Sequence, residues 1–185
     1  MRIIAGERRG MRLEPPGKND ATRPTEDKTK EAVFNILQPL RQDTAVLDLF
    51  AGTGQIGLEF LSRGARSVVF CEKSRRMAKV IQKNIEKTGY DEQCRLFIGD
   101  YRAALASCSQ TFDYIYLDPP FGFGMEQEAM AMIRRLKRLS PGGEVIVESG
   151  VSRDHSLEVE EMEGYTQIFF RQYRSQCIRI FKESV

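Results

Sequence analysis

Residues 45–57, Ala-Val-Leu-Asp-Leu-Phe-Ala-Gly-Thr-Gly-Gln-Ile-Gly, restrict the fold of this chain more than any other stretch. The run from Ala45 to Phe50 is apolar except at Asp48 and has the length of a buried strand. It passes into a turn at Gly52, Gly54 and Gly57, and Ile56, Leu58, Phe60 and Leu61 then begin a helix. Glycine lets the backbone turn tightly and lets a ligand approach where a Cβ would clash. The spacing Gly52-Thr53-Gly54-Gln55-Ile56-Gly57 fits a dinucleotide turn, and Glu72 stands near the distance at which an acid meets a ribose. Ordinary turns are also rich in glycine, so the spacing alone leaves the ligand open.

Asp48 narrows that choice. A pyrophosphate on this turn would lie close to a carboxylate, an unfavourable contact between like charges. A ligand carrying an ammonium and a sulfonium would be attracted instead. S-adenosylmethionine has both, with a ribose diol for Glu72.

A second motif, Asp118-Pro119-Pro120-Phe121, follows the apolar strand Phe112–Leu117. Two prolines fix φ and offer carbonyls without competing N–H donors. Asp118 adds a carboxylate acceptor and Phe121 an aromatic face. The set suits a planar group with an exocyclic amine. Pro-Pro alone would read as a rigid strand-end turn; its place after a glycine turn in an alternating chain makes it more specific.

From Ala45 onward strands and helices alternate. Strands are expected at Ser67–Glu72, Arg95–Gly99, Phe112–Leu117, Glu144–Glu148, Thr166–Phe170 and Gln176–Phe181, with a further short one at 157–160. Ser74 is the expected cap of a helix with Met77, Val80, Ile81 and Ile85 at helical spacing. A short helix is expected around Arg102–Ala106. Met125, Ala129, Met132, Ile133, Leu136 and Leu139 mark another, which Pro141-Gly142-Gly143 turns into the next strand. The methionines at 125, 130 and 132 are read as core. Such alternation implies a doubly wound α/β fold with a mostly parallel sheet covered on both faces. Ahead of it, residues 2–5 and 11–13 read as a hairpin, residues 18–23 as a polar loop, and Thr25 as the N-cap of a helix ending near Pro39. This arm and helix (1–41) are expected to be an appendage to a catalytic core (45–185), within one domain spanning 1–185. Removal of residues 1–24 is expected to reduce RNA affinity and flatten its salt dependence while leaving cofactor affinity nearly intact.

Asp48-Leu-Phe-Ala-Gly-Thr-Gly with Asp118-Pro-Pro-Phe resembles the class I methyltransferases that modify exocyclic amines. Arg2-Ile-Ile-Ala-Gly-Glu-Arg-Arg-Gly and Arg23-Pro-Thr-Glu-Asp with Lys30-Glu-Ala-Val-Phe-Asn-Ile-Leu narrow the resemblance to the bacterial small-subunit ribosomal RNA guanine-N2 methyltransferases of the RsmD type, over nearly the whole chain. Arg174 departs from the glycine usual there. The resemblance implies a Rossmann-like methyltransferase sheet with a final antiparallel hairpin, S-adenosylmethionine as cofactor, and 16S rRNA, within a small ribosomal subunit or an assembly intermediate, as partner.

Ligands of open α/β sheets bind outside the carboxyl ends of the strands, where Asp48, Glu72, Asp100 and Asp118 all fall. Glu72 is assigned to the ribose hydroxyls and Asp48 to the methionine-end ammonium. Asp100 is assigned to the adenine amine, with Tyr101 or Ile98 near the ring; the other reading of Asp100 is a helix N-cap. Phe50, Gly52, Thr53, Gly54 and Lys73 complete the cofactor set. Asp118 and the Pro119 carbonyl, with Pro120 and Phe121, would orient the target amine, and Phe123 would help to hold the unstacked base. No separate general base is evident, and His155 reads as a surface residue.

Net charge is only +2, so affinity for nucleic acid has to come from distribution. Residues 1–24 hold six Arg/Lys against three acids, and Arg2, Arg8, Arg9, Arg12 and Arg23 are the expected phosphate contacts. Arg134, Arg135, Lys137 and Arg138 read as a solvated helix face that adds positive field. Residues 151–163 hold five acids against Arg153 alone. The four cysteines show no metal spacing and read as reduced thiols, so no metal is expected. No stretch has the length and apolarity of a membrane span, and a cytoplasmic protein is expected. An adenine-N6 methyltransferase stays open, because Asp118–Phe121 fits either amine. A nicotinamide-linked oxidoreductase is disfavoured by Asp48, and a non-catalytic RNA-binding assembly factor by two intact motifs.

Overall fold

Three short strands follow one another in the first hundred residues: β1 (Ala45–Asp48), β2 (Ser67–Glu72) and β3 (Cys94–Ile98). They pair in parallel, with Leu47 opposite Val69 and Cys71 opposite Phe97. A parallel strand covered on both faces has no polar side, and β1 is buried at all four positions. The computed structural model describes residues 1–17, 27–120, 124–150, 162–173 and 176–184. They form two compact units, Met1–Tyr101 and Arg102–Val185.

In the first unit, α1 (Asp27–Ile36) precedes β1, α2 (Gln55–Ser62) joins β1 to β2, and α3 (Arg75–Thr88) joins β2 to β3. All eight residues of α2 are buried. α3 is amphipathic, burying Met77, Ala78, Ile81 and Ile85. Ser74 caps it as expected: its side chain accepts from the Met77 N–H at 3.3 Å. The expected arm hairpin is reduced to one antiparallel bridge between Arg2 and Arg12. The Ile3 N–H donates to the Met11 carbonyl at 3.0 Å and the Gly10 N–H to that of Ile3 at 2.9 Å. The polar loop from Lys18 to Arg23 and the Thr25 cap lie outside the described residues.

After α4 (Tyr101–Ser107), the second unit holds β4 (Phe112–Leu117), α5 (Met125–Arg135), β5 (Leu139–Gly150), β6 (Tyr165–Gln172) and β7 (Gln176–Glu183). α5 is shorter than its apolar spacing suggested, and Leu139 starts β5 opposite Phe112. Pro141-Gly142-Gly143 does not separate helix from strand. It lies within β5, where the pairing jumps from Phe112–Leu139 to Tyr114–Glu144. Proline lacks a ladder donor and Gly142 has φ 72°, so the extra residues loop out there. Of the three methionines read as core, only Met130 is buried; Met125 and Met132 are half-exposed. β5 pairs in parallel with β4 and antiparallel with β7, and β6 and β7 form the final antiparallel hairpin. The strand order is β3-β2-β1-β4-β5-β7-β6 in one seven-stranded sheet. The possible strand at 157–160, His155 and Arg174 fall outside the described residues.

Candidate active site

The glycine turn is a cradle whose backbone is held from beneath. Gly54 sits at φ 77°, the left-handed region, and is followed directly by α2. Gly57 is required for a different reason: a Cβ there would stand 2.3 Å from Cε1 of Phe70. The Ala51 N–H donates to the Cys71 carbonyl at 2.9 Å. Glu72, the last residue of β2, accepts from the Gly52 N–H at 2.9 Å through one carboxylate oxygen and from the Ser74 N–H at 2.7 Å through the other. Burial raises its pKa, and these backbone N–H groups oppose the rise.

Asp48, the last residue of β1, is 2% exposed and accepts from the Gly57 N–H at 3.1 Å. Burial pushes its carboxyl up to about 7, with the neighbouring Glu72 charge adding to the rise and the Gly57 N–H opposing it. Both acids assigned to the cofactor therefore also hold the turn.

The other residues expected around the cofactor fall close by in the same unit. Lys73 Nζ lies 3.6 Å from Asp100 Oδ2, just before α4. Phe50 and Tyr101 meet at 5.1 Å between ring centroids. Tyr101 is only 4% exposed, whereas Ile98 is 53% exposed at the end of β3, opposite Glu72 in register. An exposed isoleucine at a strand end offers a flat apolar surface that Tyr101 does not.

In the second unit, Asp118 directly follows β4; it is half-buried, Pro119 is buried and Pro120 exposed. Phe121 and Phe123 lie outside the described residues. Beneath this end, the Tyr116 hydroxyl donates to the Glu148 carboxylate, and both side chains are buried. Burial raises the Glu148 pKa.

Buried polar contacts hold the arm to the rest of the first unit. Glu59, wholly buried on α2, accepts from the N–H groups of Ile4 at 2.8 Å and Ala5 at 3.0 Å and from Arg63 Nε at 2.8 Å. Lys30, also wholly buried, lies 3.6 Å from Glu59 and donates to the Arg2 carbonyl. Burial lowers the Lys30 pKa against the opposing pull of Glu59. Arg8 is engaged within the protein: its Nε donates to the Thr88 carbonyl at 3.0 Å and its guanidinium stands 5.4 Å from the Tyr90 ring centre. Arg2 pairs with Asp27 at 3.4 Å, Arg9 and Arg12 are exposed, and Arg23 is outside the described residues.

Sequence reasoning missed Lys30, Glu59, Asn84 and Glu148. A signal was present for two of them, since Glu59 and Glu148 are polar residues inside otherwise apolar stretches. All four cysteines are free. Cys71 and Cys94 lie on adjacent strands, but in register they face Phe97 and Val68, and burial raises both thiols to about 12. Among the described residues no group of three or more His, Cys, Asp and Glu could hold a metal ion, and no helix is long and apolar enough to cross a membrane.

A mostly parallel seven-stranded sheet ending in an antiparallel hairpin, with acids at the carboxyl ends of its strands, defines a Rossmann-like methyltransferase. A solved candidate methyltransferase from Escherichia coli superposes with a TM-score of 0.85 at 28% identity, covering 99% of this chain and 97% of that one. The family model described as Conserved hypothetical protein 95 matches residues 1–182, and the chain belongs to that family, the RsmD family. The ribosomal RNA small subunit methyltransferase D of Haemophilus influenzae is 34% identical over 152 residues, 80% of this chain and 78% of that protein. Its namesake in Escherichia coli strain K12 is 31% identical over 186 residues, 96% of this chain and 91% of that protein.

Proposed function

We propose that this enzyme methylates the exocyclic N2 amine of a guanine in small-subunit (16S) ribosomal RNA, with S-adenosylmethionine as methyl donor. The observation that carries the reading is Asp118-Pro119-Pro120 at the end of β4, in a chain alignable over most of its length with ribosomal RNA small subunit methyltransferases. The N-terminal signature, which binds the arm to the rest of the first unit, favours guanine over adenine.

The residues present fit the cofactor. The Glu72 oxygens take the Gly52 and Ser74 N–H groups, and a carboxylate with about four lone-pair sites keeps acceptor capacity for the ribose hydroxyls. Ile98 supplies an apolar face for adenine, with Asp100 and Lys73 beside it. Asp48, poised near neutrality, becomes a full anion when an ammonium is held nearby. S-adenosylmethionine supplies an electrophilic methyl group on a sulfonium.

The chain's own contribution is to orient the nucleophile. The N2 lone pair of guanine is delocalised into the ring and is a poor nucleophile. Asp118 and the Pro119 carbonyl accept from the two amine protons, which fixes the nitrogen for in-line attack. Both prolines restrict φ, so the acceptors are in place before substrate arrives. Phe121 stacks on the unstacked base. The Arg9 and Arg12 guanidiniums meet phosphates.

The test is the modified nucleoside. Small ribosomal subunits incubated with the enzyme and labelled S-adenosylmethionine are digested, and the product is expected to be N2-methylguanosine. N6-methyladenosine would overturn the substrate, and absence of label despite cofactor binding would overturn the enzymatic reading.

A further inference from the structure

We propose that Asn84 is a positioning residue that joins the N-terminal arm to the cofactor turn, so that binding cofactor and ordering the arm are one coupled event. The inference rests on the reading of residues 51–54 as the S-adenosylmethionine turn.

Asn84 is wholly buried on α3, an uncommon place for an amide. Its Oδ1 accepts from the Glu14 N–H at 2.6 Å, and its Nδ2 donates to the Glu14 carbonyl at 3.2 Å and to the Thr53 carbonyl at 3.0 Å. One side chain thus pairs with both backbone groups of an arm residue, as a neighbouring strand would, and spends its remaining donor on the middle residue of the glycine turn. A second contact is independent of Asn84: the Thr53 hydroxyl donates to Met1 Sδ at 3.3 Å. Thr53 is 3% exposed, so its carbonyl and hydroxyl are both held by the arm or by the residue that grips the arm. The helix between them is packed against the turn, since a Cβ on Gly54 would lie 3.3 Å from Ile81 Cγ2. Lys87 Nζ, one turn beyond Asn84, holds the Glu14 carboxylate at 2.8 Å.

Releasing Glu14 would leave the Asn84 Oδ1 and one of its Nδ2 protons unsatisfied in a buried position, which is unfavourable. The bonds to Glu14 and Thr53 are therefore energetically coupled. A ligand that holds the turn still should hold residues 1–14 still, and by linkage an arm held by RNA should tighten the turn around cofactor by the same factor. The arm would then be presented to RNA chiefly by cofactor-loaded enzyme, a sensible order for a reaction that needs both.

Hydrogen exchange on the full wild-type chain tests this without any variant, using S-adenosylhomocysteine as the probe. Saturating probe is expected to slow exchange at least about threefold both at Gly52–Gly54 and at the arm amides of Ile3, Gly10, Met11, Leu13 and Glu14. Protection of the turn with no change in the arm would overturn the coupling and leave the cofactor reading standing. No binding of the probe would remove the cofactor reading and this inference with it. Asn84→Ala supplies the second arm. Its dissociation constant for S-adenosylhomocysteine is expected to rise about tenfold, its arm to lose cofactor-dependent protection, and kcat at saturating cofactor and RNA to stay within about twofold. A variant that melts like wild type and keeps cofactor-dependent arm protection would refute the role of Asn84. If it does not fold, the wild-type exchange experiment decides.

Discussion

At the ends of β1 and β2 the acids hold backbone: Asp48 accepts from Gly57, and Glu72 from Gly52 and Ser74. At the ends of β4 and β5 the pattern differs. Glu148 accepts from a side chain, the Tyr116 hydroxyl, and Asp118 is followed by two prolines that have no N–H to donate. In the first unit carboxylates shape a glycine cradle, whose flexible residues would otherwise have no preferred conformation. In the second unit stiffness comes from the rings of the two prolines that follow Asp118. On the proposed roles, a cradle that loses an acid binds less tightly, whereas an acceptor pair that loses one member no longer orients the nucleophile.

Asp118→Ala should therefore have the largest effect. Its methyl-transfer rate is expected to fall on the order of a hundred- to a thousandfold while S-adenosylmethionine affinity by calorimetry is unchanged. Asp118→Asn, which keeps one acceptor, should fall between. An active Asp118→Ala enzyme would erase the contrast between the two strand ends.

Glu72→Ala comes next. Loss of a charged acceptor of two backbone N–H groups and a ribose diol should weaken cofactor binding roughly ten- to a hundredfold. Unchanged affinity would reduce Glu72 to a structural brace.

Asp48 should give a pH signature. Its carboxyl stands at about 7 in the fold against a usual 3.8, so folding favours the protonated form. That contribution is complete below about pH 4 and is lost as pH rises through 7. The melting temperature of the cofactor-free protein should carry a component that falls between about pH 4 and 7 and disappears in Asp48→Asn; raised Glu72 and Glu148 leave a residual slope of the same sign. Cofactor affinity should move the opposite way, falling up to about tenfold per pH unit below 7 as Asp48 must ionise to meet the ammonium. Calorimetry in buffers of different ionisation enthalpy should register proton release near neutrality.

The smallest expected effect touches neither strand end. Arg9→Ala and Arg12→Ala should each reduce the salt dependence of RNA binding by about one counterion and leave cofactor affinity alone. A change in cofactor affinity instead would assign these exposed residues to the coupling through the arm.

Much of the candidate site was legible along the chain. The glycine turn, the acids at strand ends and the Ser74 cap are written in short-range pattern: an apolar run, a punctuating glycine, a hydroxyl before a helix; the antiparallel hairpin came from the family resemblance. Where short-range pattern misled, neighbouring strands had overridden it. Leu139 continues the apolar spacing of α5 but lies in β5 because Phe112 is available to pair with it.

The sequence alone therefore determined the order of elements, the place of the cradle and the chemical types at its rim, since each depends on residues within a few positions of one another. Only the tertiary structure decided how that cradle is held. Glu59 reaches Ile4 across 55 positions and Asn84 reaches Glu14 across 70, and neither separation leaves a periodic trace. Such polar groups are buried because their partners are buried with them, and the choice of partner is made by packing.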